Sequence, residues 1–484
     1  MIYSDLRGFL KTLEDKGMVK RVKVAVDPVL EISEIMDRLV RSGGPAVVFE
    51  KVKGFNMPVV GNLFGTRERV AQGLGVKEEE LLKIGEYIAL LQRPEPPEGL
   101  WDAVKKIPFL GKALTLGPKT VKSASCQEVV KIGPDADMSF LPIIKCWPGD
   151  AGPLVTWPLV VTRAPEGGPF NVGVYRMQYL DGKRLIMRWL RHRGGAKHMR
   201  LWQDTGKKMP VAVAIGCEPA TTIAAVTPVP EDVGEFHFAG ILRKKAVELV
   251  ECKTVPLKVP ASAEIVLEGE IGEDTALEGP FADHTGYYNS AEKFPVFHLK
   301  AVTHRRDPIY LTTITGRPPK EDAVIGTVLN NLYLPSLKIQ FPEIVDFSLP
   351  MEAVSYRIAV ISIKKEYPGH ARRIMMGLWG VLKQFMYVKY VIVVDDDIDV
   401  HNWSDIIWAV STRVDPKRDT VIIENTPIDY LDFSSPLESL GSKLGIDATN
   451  KKPPEVSREW GETVEMDKVI ADLVDGRWKD YGVE

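Results

Sequence analysis

Cysteine is scarce in this chain of 484 residues: Cys126, Cys146, Cys217 and Cys252 lie far apart and form no CxxC pair. That spacing argues against a disulfide framework or a zinc knuckle and predicts a reduced, cytoplasmic setting. No apolar run approaches the ~20 residues that span a bilayer. The start, Met1-Ile2-Tyr3-Ser4-Asp5, has no basic stretch leading into an apolar one, so no signal peptide is expected. Neither sign of charge is in excess: 62 Lys plus Arg face 65 Asp plus Glu, a formal −3. Such a balance gives no electrostatic reason to expect nucleic acid or an anionic membrane as the main partner. Glutamine is scarce while Lys, Glu and Arg abound, a bias compatible with a thermophile. Internal repeats and low-complexity tracts are absent.

Apolar material is plentiful, at 45% of residues, enough for more than one core. At roughly 150 residues per domain the length suggests about three domains. The pattern changes character twice. The first stretch mixes helices with short strands. Leu6 to Lys16 carries Leu6, Phe9, Leu10 and Leu13 at helical spacing. Pro45 to Glu50 and Val59 to Leu63 read as strands, and Arg67 to Leu74 and Glu78 to Leu91 as helices. The proline-rich stretch Arg93 to Gly99 reads as a linker or exposed loop. From about Val121 to Thr313 strand-like runs separated by Gly, Pro and Asp turns predict a barrel or sandwich. The last third alternates again, with strands at Arg357–Ile363, Tyr390–Val394 and Thr420–Ile423 and helices at Ala371–Phe385 and Ser404–Thr412. That order predicts a parallel sheet. A terminal helix, Glu465 to Arg477, is expected to pack on a partner subunit.

Two stretches concentrate reactive side chains. Asn171 to Gln178, a turn, and then Met187 to Gly195 read as a β-hairpin carrying Arg176, Arg188, Trp189, His192 and Arg193, with Asn171 and His192 near one end. Glu278 to Tyr288 places Glu278 and Asp283 in a Gly/Pro loop. A third fragment, Glu231 to Phe236, adds acids. The arginines suit phosphate or carboxylate, and Gly194 and Gly195 allow close approach of backbone to an anion. Asn, His and Glu together offer a mixed set for Mn2+ or Mg2+. A carboxylic acid beside Arg and a second carboxylate has a tunable pKa, as an acid/base requires. The residues alone therefore predict an anion and metal site with an acid/base pair. Taken singly, the same residues read as a solvated ribbon and turn acids, and His198, His237 and His284 as histidines that are structural or that support the site's own residues from behind. Adjacent aspartates in Val393 to Asp399 offer a rival, the metal–diphosphate site of a nucleotide-sugar transferase; the plainer reading is a polar loop at a sheet edge.

The segments Trp147 to Pro153, Asn171 to Gln178, Arg188 to Gly195, Glu278 to Tyr288, Thr315 to Pro319, Glu424 to Asp432 and Gly441 to Thr449, in this order over nearly the whole chain, resemble the UbiD decarboxylases. The resemblance implies an N-terminal α/β domain (1–120), a central flavin-binding split β-barrel (121–315) and a C-terminal α/β domain with an oligomerisation helix (316–484). It implies reversible decarboxylation of an aromatic or α,β-unsaturated acid with prenylated FMN, Mn2+ and K+. Carried over by motif, Asn171, His192 and Glu235 match the metal ligands. Val174, Tyr175, Arg176, Arg188, Trp189, Leu190, Arg193 and Gly194 match the flavin contacts. Glu278, Arg176 and Asp283 match the catalytic network, with Asp283 the residue of the polyprenyl-hydroxybenzoate branch; which acid donates the proton stays open. K+ would take carbonyls near Ala224 to Thr227 and share Glu235. The substrate reading is a 4-hydroxy-3-polyprenylbenzoate-type acid, with trans-anhydromevalonate 5-phosphate as the alternative. The pocket sides expected to choose between them include Leu329 to Leu337 and Phe385 to Tyr387. Expected partners are a flavin prenyltransferase as cofactor supplier and further copies of the chain, as a dimer or hexamer. A polyprenylated substrate would add peripheral membrane contact. A non-catalytic flavin-binding subunit, or an ordinary FMN oxidoreductase, would have no need of the Glu–Arg–Asp network.

Overall fold

The computed structural model describes residues 3–92, 115–191, 193–227, 234–354, 356–381 and 383–483. The expected linker at 93–99 lies outside them, as do His192, Glu231 and Asp232.

Helix Leu6–Asp15 forms where the apolar spacing places it, and it buries Leu6, Phe9, Leu10 and Leu13. Asp5 caps its start by accepting the Gly8 N–H at 2.8 Å. It accompanies a four-stranded sheet in the order Val19–Val26, Ala46–Val52, Val59–Gly61, Tyr310–Leu311. The last of these strands arrives from far downstream, which ties the N-terminal and central segments into one continuous core running from Tyr3 to Leu332.

The central segment builds a nine-stranded antiparallel sheet. Its path runs Leu154–Val155, Met177–Asp181, Arg184–Met187, Glu292–His304, Ile265–Glu278, Met209–Ile215, Leu159–Ala164, Gly167–Val174, and Val129–Ile132 pairs with Glu292–His304. The sequence predicts one strand over Asn171 to Tyr179, but the structure breaks it at Tyr175 and Arg176. Gly167–Val174 closes one end of the path, and Met177–Asp181 lies one strand from the other. Two residues therefore carry the chain between the ends, so the sheet curls back on itself. Bulges in the longest ladder, between Glu268 and Gly269 and between Ile271 and Thr275, favour that bend. Among the described residues no ladder joins the two ends into a closed barrel. The expected hairpin is correspondingly shorter, formed by Met177–Asp181 and Arg184–Met187 alone. Helices Gly194–Asp204, Pro219–Val226 and Glu235–Leu242 interrupt the β-rich segment. The last two are buried almost all round and so carry no helical period in the sequence.

The C-terminal sheet has the order Ile344–Ser348, Ile358–Ile363, Tyr390–Asp395, Leu440–Ala448, Thr420–Pro427. The expectation of Thr420–Ile423 as a parallel strand is overturned: it is an antiparallel edge strand, and Leu440–Ala448 takes the parallel place beside Tyr390–Asp395. Burial decides this. Leu440–Ala448 is buried at most positions, whereas Thr420–Pro427 leaves Ile422 facing solvent. Separate apolar clusters cover the two faces of this sheet. Helix Glu321–Gln340 links it to the rest and packs on helix Leu81–Gln92. Helix Lys468–Gly476 buries none of its residues.

Candidate active site

Three chain ends converge on one point. Arg176 sits in the break between two strands, Arg188 follows strand Arg184–Met187, and Glu278 is the last residue of Ile265–Glu278. After Glu278 the chain turns at Gly279, whose φ of +89° strains any residue with a Cβ. Gln178 pins this turn by accepting the Gly279 N–H at 2.9 Å. The loop that follows is fastened by Asp150, whose carboxylate accepts the N–H groups of Trp147 and Ala282, each at 2.9 Å.

Arg176 is the hub. Its Nε and Nη2 donate to Glu278 at 2.9 and 3.3 Å, and Nη1 donates to Asp283 at 3.0 Å. Nη2 also reaches the Asn289 Oδ1 at 2.7 Å. Arg188 approaches Glu278 from the other side, Nη1 to Oε2 at 2.9 Å. Glu278 is wholly buried, so two guanidinium groups replace the water it has lost. Burial alone would raise Asp283, but His284 and Arg176 hold its carboxyl well below the usual carboxylate range. The ring of His284 lies 2.6 Å from Asp283 through Nδ1; burial pulls the imidazole down, but that bond together with the charges of Asp283, Asp429 and Asp322 holds it above its ordinary value. Of the two sequence readings of His284, structural or supporting the site, the contact with Asp283 favours the second. Asn289 was missed altogether. It is a lone buried amide with no motif spacing, and only the three-dimensional contact singles it out.

A second cluster lies against the first. Tyr175 and Trp189, the chain neighbours of Arg176 and Arg188, meet edge to face with ring centroids 6.1 Å apart. Consecutive residues point to opposite sides in extended chain, so each pair supplies one side chain to each cluster. Tyr175 Oη accepts from Asn171 Nδ2 and from the Gly195 N–H, both at 3.4 Å. A Cβ on Gly194 would stand 1.9 Å from Asn171 Oδ1, so glycine is required for this approach. Glu235 opens helix Glu235–Leu242 and accepts the Val172 N–H at 3.0 Å, which brings it to the strand that carries Asn171. Burial pushes its carboxyl up to about 7. Val174 ends that strand, Leu190 accepts the Arg193 N–H at 3.0 Å, and exposed Arg193 precedes helix Gly194–Asp204. The expected third metal ligand, His192, lies outside the described residues.

The donor set fits the expected groups. Among the described residues, Arg188 Nη2 and Trp189 Nε1 are buried without hydrogen-bond partners, donors that an anionic group could take up. Half-buried Glu235 has no cationic side chain against it among the described residues and is suited to a metal ion. The rival aspartate site fares otherwise. Arg413 bonds both Asp395 and Asp397, and Asp399 accepts the His401 N–H, so these acids stabilise a loop and a helix start.

Residues 10–88, 119–318 and 323–448 match family models described as the 3-octaprenyl-4-hydroxybenzoate carboxy-lyase N-terminal, Rift-related and C-terminal domains. Among solved structures, the UbiD-class enzyme HmfF from Pelotomaculum thermopropionicum, in complex with FMN, is 31% identical. The match covers 97% of this chain and 99% of that one, with a TM-score of 0.81. The chain belongs to the UbiD family. An evolved dimeric form of HmfF, in complex with prFMN, is 32% identical over 94% of this chain and 97% of its own, at a TM-score of 0.78. Vanillic acid decarboxylase from Sedimentibacter hydroxybenzoicus, in its closed form, is 29% identical, with both chains fully covered and a TM-score of 0.87. This UbiD-family chain is thus a carboxy-lyase with the multidomain α/β fold of its class.

Proposed function

We propose that this protein decarboxylates an aromatic acid, reversibly, with prenylated FMN as cofactor, and that the acid is of the 4-hydroxy-3-polyprenylbenzoate type. The observation that carries the reading is Arg176 bridging two buried carboxylates, Glu278 and Asp283. The hydroxybenzoate description of the matching family models and the vanillic acid decarboxylase neighbour support a hydroxylated aromatic acid.

Loss of CO2 from an sp2 carbon leaves a carbanion that no side chain here stabilises. When bound, the prenylated flavin supplies the electron sink. The chain's own residues do the rest. Arg176 orients the substrate carboxylate and holds the two acids apart. With Asp283 held ionised on the other side of Arg176, Glu278 is the acid that returns a proton to the carbon that has lost CO2. The buried network keeps bulk water from that carbon. Tyr175, Trp189, Arg188, Val174, Leu190, Arg193 and Gly194 would hold the flavin. Asn171, His192 and Glu235 would hold Mn2+ on its phosphate, with K+ on carbonyls near Ala224 to Thr227. The curled central sheet, whose ends meet at Tyr175–Arg176, is read as a split barrel between domains dividing near residues 120 and 315. The enzyme is read as a cytoplasmic homo-oligomer that receives its cofactor from a flavin prenyltransferase.

The test is CO2 release from a panel of hydroxylated aromatic acids by cofactor-loaded protein. Glu278→Gln should lower turnover about 100-fold or more while flavin content is unchanged. Retained turnover would remove the acid pair from the mechanism.

A further inference from the structure

The acid network does not stop at Asp283. His284 closes it on the side of the C-terminal domain. Its Nδ1 is committed to Asp283 at 2.6 Å. The ring faces Tyr356, with centroids 6.1 Å apart, and the Tyr356 hydroxyl donates to the Asp429 carboxylate. Asp429 is anchored in turn, since its other oxygen accepts the Leu431 N–H at 2.8 Å and Arg357 lies 3.6 Å away. The same C-terminal loop touches the acid network twice more. Arg188 lies over the Tyr430 ring at 6.0 Å, and Tyr287 meets Phe433 edge to face at 6.3 Å. His284 is therefore the joint between the acid loop and the segment 428–433.

We propose that His284 is a positioning residue for the acid pair: as an imidazolium it holds Asp283 ionised against Arg176, and the Tyr356–Asp429 pair keeps it in that form. The charged and titratable groups facing the ring come from three elements. They are Asp283 on its own loop, Asp322 in the first turn of helix Glu321–Gln340, and Tyr356 with Asp429 from the C-terminal domain. Arg176 stands beyond Asp283, and Arg357 beyond Asp429. Three carboxylates around one ring favour its charged form. Its Nε2 is buried with no partner among the described residues. That orphan is better tolerated as an N–H donor among carboxylates than as an acceptor among them. The hold on one carboxylate of Arg176 thus depends in part on how the C-terminal loop is seated, which couples a residue of the reaction to a segment distant in the chain.

The inference rests on the proposed decarboxylation, and its test separates the two. The flavin-free full chain, labelled with 15N-histidine, is titrated by NMR, with His284→Gln identifying the signal. The ring should titrate above the ordinary value of about 6.5. In Asp429→Asn its midpoint should fall by roughly half a unit or more; Tyr356→Phe, which removes one hydrogen bond from Asp429 but leaves its charge and its Leu431 and Arg357 contacts, should move it less. In cofactor-loaded enzyme, the alkaline limb of kcat/KM should fall at the same midpoint and move by the same amount in Asp429→Asn. His284→Gln should abolish that limb while flavin content stays unchanged. An ordinary midpoint, or one that neither variant moves, overturns the proposal. A ring that titrates as expected, in a protein releasing no CO2 from any acid, supports the coupling and overturns the proposed function instead.

Discussion

Arg176 reaches Glu278, Asp283 and Asn289 at once because it stands where the chain leaves one strand and has not yet joined the next. No ladder partner fixes it to one face, and buried acids take the place of solvent around its fork. Asp283 and His284 add a pH signature to stability. Asp283, depressed in the fold, contributes stability that is present above its unfolded value of about 3.9 and lost as pH falls through the folded value. His284, raised in the fold, contributes stability that is present below about 6.5 and lost as pH rises through its folded value. The pair's contribution is therefore full between about pH 4 and 6.5. Urea denaturation of His284→Gln should show its largest deficit against the parent near pH 5 and a smaller one near pH 9. A deficit independent of pH would show that the ring contributes packing alone. At this scale the residues alone gave only an acid/base pair beside arginines; the trio Glu278, Arg176 and Asp283 came from the resemblance to the UbiD decarboxylases, and the structure brings the three into contact. Asn289 and the role of His284 were hidden, because a single buried amide or imidazole has no periodic or motif signature.

Elements decide which of those residues meet. Tyr175/Arg176 and Arg188/Trp189 work as pairs because extended chain sends neighbours to opposite sides, so one short stretch serves both the acid cluster and the Asn171–Glu235 cluster. Gly194 makes the second cluster possible. Gly194→Ala should displace Asn171, lowering affinity for Mn2+ about tenfold or more, read as metal retained after dialysis, with little change in Tm. Unchanged retention would place the metal elsewhere. Helix Leu6–Asp15 was legible because its burial follows its period, and strand Ile358–Ile363 because it is a continuous apolar run buried at almost every position. Strand Leu440–Ala448 was read only as a motif, since Gly441 and Gly445 dilute its apolar pattern. Gly445 is glycine for packing, as a Cβ there would stand 2.5 Å from the Met375 Sδ. Helices Pro219–Val226 and Glu235–Leu242 were missed for the opposite reason: burial on all sides erases the amphipathic period.

At the scale of the whole molecule, the C-terminal helix leaves an apolar surface that the described residues do not cover. Helix Lys468–Gly476 and the residues around it expose Val464, Met466, Val469, Ile470, Leu473 and Trp478. An apolar run of this kind suits a second copy of the chain, in keeping with the homo-oligomer proposed above. Deleting residues 465–484 should shift the protein to a smaller species by light scattering, with its far-UV circular dichroism almost unchanged. An unaltered mass would place the interface elsewhere. No helix among the described residues is long and apolar enough to cross a membrane. The three-part organisation was legible from the change in pattern along the chain, but the return of Tyr310–Leu311 to the N-terminal sheet was not, because two residues pairing across so long a separation leave no local trace.

The central claim is that this chain works through prenylated FMN held beside the Arg176 network. Protein produced together with a flavin prenyltransferase tests it most directly, by absorption spectrum, cofactor mass and metal content on one sample. The account predicts prenylated FMN bound together with Mn2+. Protein that emerges without flavin under those conditions would contradict it.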